Sequence, residues 1–222
     1  MERKELIISM IMNILIFIMA MLGTIFSVTG FIFMANTELL ATPGISVFKY
    51  YTVDSNIFVG LASLVLIVYE YLYLNKKVKE IPKCVYLIKY VGTVAVTLTF
   101  LVTLLYLSPL YGKDFLFLYQ NSNFFFHLVI PILSFGSFVL FEKTDLNFKY
   151  TLGGISTTLV YGVYYAINIV VHQTNGIVIS EYDWYGFAKG GIISIFIVFP
   201  IMTIFAFVIS FIILRLNKSK KV

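Results

Sequence analysis

The chain has 222 residues, of which 60% are hydrophobic and only 12% charged, with a formal net charge of +5. That balance excludes an ordinary soluble globular domain and points to an integral membrane protein of one domain, residues 1–222. The single cysteine, Cys84, excludes a disulfide framework and any multi-cysteine metal site, and no metal or other cofactor is expected.

Apolar runs long enough to cross a bilayer, which takes about 20 residues, recur along the chain. They predict six helices, at Leu6–Phe33, Phe48–Leu74, Cys84–Leu107, Asn123–Phe141, Tyr150–His172 and Lys189–Leu214. The first is too long for a signal-peptide core and is read as a retained span. The expected fold is therefore all-α: a polytopic membrane protein with a six-transmembrane-helix bundle. Basic residues sort to one side, at Arg3, Lys4, Lys76–Lys83, Lys143, Lys149 and from Arg215 on, against Lys49, Lys113 and Lys189 on the other. Loops rich in Lys and Arg stay cytoplasmic, so both termini are expected inside the cell membrane. The positive charge is explained by topology and anionic lipid headgroups, and nucleic acid is not an expected partner.

The inner connections, 75–83 and 142–149, are short and charged, as turns between antiparallel neighbours require. The outer ones are longer: 35–47 with Pro43-Gly44, 108–122 with Pro109 and several aromatic residues, and 173–188 with Glu181, Asp183 and Trp184. Loops of that kind more often carry function.

Polar groups inside spans are expensive and mark sites. On the second helix Lys49, Thr52, Asn56 and Ser63 share one face, with Thr52 about five residues below the outer interface. His127 is about as deep in the fourth helix, so the two match in level. Pro131 follows His127 by four residues and cannot donate to its carbonyl, which predicts a local opening of the helix beside the imidazole. Thr157, Tyr161, Tyr165, Asn168 and His172 form a stripe along the fifth helix. Glu70 and Lys89, near the inner ends of the second and third helices, read as a structural pair.

An imidazole within reach of a threonine hydroxyl can take its proton during attack on an ester carbonyl. Thr52 is thus a candidate nucleophile and His127 its base, while Asn56, Asn123, Tyr165, Asn168 and His172 are candidate substrate-binding groups, Asn56 and Asn123 also as oxyanion donors. The chain has no Gly-x-Ser-x-Gly elbow, His-Glu-x-x-His motif or phosphate-binding loop.

Phe48-Lys49-Tyr50-x-Thr52 at the mouth of the second helix, together with Asn123-x-x-x-His127 at the mouth of the fourth, resembles the androgen-induced-gene / ADTRP family of membrane proteins. The resemblance implies a six-helix threonine hydrolase acting on fatty acid esters of hydroxy fatty acids, with Thr52 as nucleophile, His127 as base and membrane lipids as surroundings. Leu128 stands where animal members of that family carry a threonine. The other expectation from the same polar faces is the substrate-binding component of a vitamin-type membrane transporter, which would hold an amphipathic small molecule without reacting.

Overall fold

The computed structural model describes residues 3–34, 43–111 and 115–218, so parts of the first two outer loops, 35–42 and 112–114, lie outside the described residues. The chain is mostly helical. The long elements are α1 (Arg3–Thr29), α2 (Tyr51–Leu74), α3 (Lys83–Val102), α4 (Ser122–Leu140) and α7 (Ile193–Lys218); α5 (Tyr150–Gly154) and α6 (Ser156–Val171) lie between α4 and α7. Among the described residues, five helices are long and apolar enough to cross a membrane: α1, α2, α3 with its continuation to Leu107, α4 and α7. The fifth predicted segment, Tyr150–His172, is interrupted at Ile155, after Gly153-Gly154, and its longer piece α6 has 16 residues.

The bundle is tight where small residues let helices approach. A methyl group added at Gly60 would lie 2.8 Å from the Ala20 side chain, and one at Gly92 would lie 3.0 Å from Val59. Those glycines seat α2 between α1 and α3, and the core around Ile16, Ala20, Val59, Val96, Phe126 and Ile130 closes over them. A second core joins α3, α4, α5 and α7 through Tyr90, Val94, Phe138, Ile155, Ala206 and Ile209. Around this interior, α1 leaves Ile7, Ile11, Ile14, Ile18 and Ile25 exposed, a surface suited to acyl chains rather than water.

Helix boundaries move from the sequence reading where backbone chemistry intervenes. Phe48 and Lys49 belong to a 3-10 turn, Ile45–Lys49, and Tyr50 is extended, so α2 begins at Tyr51. The last helix begins at Ile193 rather than Lys189, because Gly191 has a φ of +90°, outside the helical region. Between α6 and α7 the chain makes a two-stranded hairpin, β1 (Gln173–Thr174) and β2 (Ile177–Val178), and then an aromatic segment, 182–187. Its rings pack on α6: Tyr165 meets Trp184 at 5.0 Å and Phe187 at 5.9 Å between centroids.

Candidate functional site

A cavity of about 740 Å³, counting its open mouth, lies between α2, α3, α6, α7 and the aromatic segment. Leu98, Val102, Ile195, Val198, Phe199 and Met202 make most of its wall, and Thr52, Thr103, Thr158, Tyr161, Tyr165 and Tyr185 bring hydroxyl-bearing side chains to it. An apolar chamber with a few convergent polar groups is the usual form of a small-molecule site.

The polar side nearest chemistry is built by two π turns. Beyond Val102, α3 continues through a π turn, Thr103–Leu107, closed by the N–H of Ser108 on the carbonyl of Thr103. Within α4 the π turn is Phe125–Val129, closed by the N–H of Ile130 on the carbonyl of Phe125. In each case a proline, Pro109 or Pro131, follows two residues after the turn. A proline lacks the N–H that the α ladder needs, and a one-residue slip into π geometry is one way to accommodate it. For α4 the slip opens a further carbonyl. The partner of the Phe126 carbonyl in the π register is Pro131, so Phe126 is left without a ladder donor. Asn56 fills the gap from α2: its Nδ2 donates to the Phe126 carbonyl at 3.3 Å and to that of Thr52 at 2.7 Å.

Thr103, at the head of the first π turn, and His127, inside the second, come together. The Thr103 hydroxyl lies 2.7 Å from His127 Nδ1, with both side chains buried. Thr103 faces the cavity, and His127 stands behind it. Thr52, half-buried on the same wall, shares a hydrogen bond with the Tyr185 phenol, whose own pKa is pushed up by burial. Thus four threonines line the cavity, Thr52, Thr99, Thr103 and Thr158, and the one hydrogen-bonded to the imidazole is Thr103.

The other predicted site residues divide. Tyr165 lines the cavity and donates its hydroxyl to Asp183, whose second carboxylate oxygen accepts from the Ala188 N–H at 3.0 Å. Asn168 donates to the Tyr182 carbonyl at 2.9 Å, and the His172 ring stacks on Tyr182 at 3.6 Å. Both therefore fasten the outer segment to α6 instead of lining the chamber. The Asn56 amide nitrogen is committed to two backbone carbonyls. Asn123 is half-buried in the first turn of α4, where its N–H donates to the Gln120 carbonyl.

Sequence reasoning missed Thr103 and Tyr185. Pro109, six residues after Thr103, was the available signal, because it marks the end of α3 as irregular in the way Pro131 marks α4. It also treated Glu142 as a loop charge, whereas Glu142 is fully buried, and it is Glu142 that lies 4.0 Å from the Lys89 ammonium. Glu70, the expected partner of Lys89, accepts a 2.5 Å hydrogen bond from Ser9.

Comparisons with protein-family models, with curated proteins and with solved structures give no match to this chain.

Proposed function

We propose that this chain is a six-span hydrolase of lipid esters in the cell membrane, with both termini cytoplasmic and the cavity nearer the outer leaflet. In this reading α5 and α6 together make the fifth span. The sorting of basic residues supports the orientation, since the Lys83 end of α3 and the Lys143–Lys149 connection fall on one side. The carrying observation is the 2.7 Å contact of Thr103 Oγ1 with His127 Nδ1 at the wall of an apolar chamber.

The chemistry follows from that contact. An acyl chain occupies the apolar wall, which places its ester carbonyl at the hydroxyl-bearing side. Thr103 Oγ1 forms a bond to the carbonyl carbon as its proton passes to Nδ1. Thr52 and Tyr185 hydroxyls supply donors for the oxygen that becomes negative. As the ester C–O bond breaks, the imidazolium returns its proton to the leaving alcohol. Water then repeats the sequence on the acyl-threonine, giving the carboxylic acid and free Thr103.

Fluorophosphonate labelling of detergent-purified protein, with mass mapping of the adduct, tests the reading. The expected adduct is on Thr103 and disappears in Thr103→Val and His127→Gln. An adduct on Thr52 would keep the hydrolase and move the nucleophile to the residue that the family resemblance indicates. No adduct on folded protein would overturn the hydrolase and favour the binding component of a vitamin-type transporter. That second reading draws on the tyrosine-rich face of the same chamber, Tyr51, Tyr161, Tyr165 and Tyr185, which suits a planar ligand.

A further inference from the structure

The opposite end of the bundle carries a second polar constellation that the cavity does not use. Ser9 and Asn13 of α1, Ser63 and Glu70 of α2, Lys89 of α3, and Glu142 just beyond α4 are all fully buried. They are linked. Ser9 Oγ donates to Glu70 Oε1 at 2.5 Å, and Asn13 Nδ2 approaches Ser9 Oγ at 3.3 Å and donates to Glu142 Oε1 at 3.0 Å. Lys89 Nζ donates to Ser63 Oγ at 2.9 Å and lies 4.0 Å from Glu142 Oε1. Asn217 of α7 closes the far side by donating to the Glu142 carbonyl at 2.8 Å.

Two independent features of this cluster are out of balance in the same direction. Its charge is two carboxylates against one ammonium. Among the described residues, the surrounding charges do not repair the deficit: Lys143 is closed on Glu5 at 2.7 Å, Lys83 lies with Asp145 at the exposed surface, and Arg215 sits over the Phe211 ring. The Tyr86 phenol, which feels both carboxylates, carries no positive charge. Its hydrogen bonding is also short of donors. Among the described residues, Glu70 Oε2, Glu142 Oε2, Asn13 Oδ1 and Asn217 Oδ1 are buried acceptors without a donor, although the Ser137 hydroxyl also hydrogen-bonds the Glu142 carboxylate. Burial pushes the Glu142 carboxyl up from its usual range, and Lys89 draws it back down.

A water molecule would serve the acceptors and leave the charge, while a divalent ion would overshoot it. One small monovalent cation, held at a carboxylate oxygen, neutralises the excess charge and meets at least one of these acceptors. We propose that the Glu70–Lys89–Glu142 cluster binds a single monovalent cation, a proton or a sodium ion, and that its occupancy fastens α1, α2, α3 and the end of α4 together. An unfolded chain lacks this site, so the folded state gains stability with cation concentration.

The test is thermal unfolding of the full chain in detergent, followed by Trp184 fluorescence, across pH and with Na⁺ exchanged for choline at constant ionic strength. The wild type is expected to gain Tm with acidification, with Na⁺, or with both in competition, and the responsive cation identifies the occupant. Glu70→Gln and Glu142→Gln each leave one carboxylate for one ammonium, so each should flatten the response. Lys89→Met leaves two uncompensated carboxylates and should steepen it. A wild-type Tm indifferent to both cations, or Gln variants keeping the full wild-type response, would overturn the proposal. If the Gln variants fail to fold, infrared spectra of the wild type decide. A protonated-carboxyl C=O band at neutral pH, or carboxylate bands that shift with Na⁺, sustains the site, and the lack of both rejects it.

Discussion

Asn56 donates to the carbonyl of Phe126, the residue before His127, and so ties the helix that carries Thr52 to the π turn that aims the imidazole. Replacing Asn56 by leucine removes that donor and leaves a buried carbonyl unpaired, a loss of about 1–3 kcal/mol. The expected outcome is a lower urea or thermal midpoint together with reduced ester turnover, read on the same preparation. Unchanged turnover in a destabilised Asn56→Leu protein would mean that the tie does not aim His127.

Thr103 and Thr52 separate by the form of their losses. Thr103→Val is expected to abolish turnover, whereas Thr103→Ser keeps a measurable part because the hydroxyl remains. Thr52→Val removes an oxyanion donor and is expected to cost on the order of 10²–10³ in kcat. Steady-state kinetics on a chromogenic long-chain ester ranks the three, and the reverse order would exchange the two roles.

Pro131→Ala restores the missing N–H and lets α4 run as a regular α-helix past His127. The slip of one residue turns the imidazole away from Thr103, and misplacement on that scale costs about 10²-fold in rate. Tm is expected to stay level or rise, because a ladder hydrogen bond returns. Lower activity at undiminished Tm is the signature.

Gly162 lies on α6 where an added methyl group would overlap the Phe199 ring, itself part of the cavity wall. Gly162→Ala must push that ring aside, at about 1–3 kcal/mol. The chamber should narrow, raising KM for long acyl chains more than for short ones. A chain-length series measured on wild type and variant checks it.

Trp184 is the chain's single tryptophan, and its Nε1 donates to the Tyr161 hydroxyl at 3.0 Å while the Lys49 ammonium sits 5.4 Å from its ring. Tyr161 lines the cavity, so an occupant is expected to change Trp184 emission in a saturable way. Titration with a non-hydrolysable alkyl ether gives the affinity, and Tyr161→Phe should diminish the signal.

The helical architecture could be read from apolar runs because lipid-facing surface needs no partner to declare itself. Pro131 was legible as a disturbance, since the missing N–H is a local fact. Its outcome was not, because the donor that meets the open Phe126 carbonyl is Asn56 from another helix. Thr103 looks in sequence like its neighbours Thr93, Thr97 and Thr99, all of which bond back to carbonyls of their own helix. Only the packing of α3 on α4 distinguishes it. Asn168 and His172 fall at inward spacing on α6, yet the segment folding back over them supplies the partners, and periodicity carries no information about such a segment. Glu142 was hidden for a similar reason: its N–H turns back onto the Ser137 carbonyl, which carries the residue inside.

Each π turn inserts one residue relative to an α path, which offsets everything beyond it by about 100°. The lower and upper parts of α3 and of α4 are consequently phased like two separate dials on one shaft. In α4 the turn lies between His127 and the part that meets Asn217 at the Phe138 carbonyl, whereas Thr103 still donates its N–H to Thr99 and keeps the phase of α3 below it. Loss of a single residue inside the α4 turn would thus rotate the imidazole relative to the inner half of the bundle with every packing residue still present, while the Thr103 hydroxyl kept its aim.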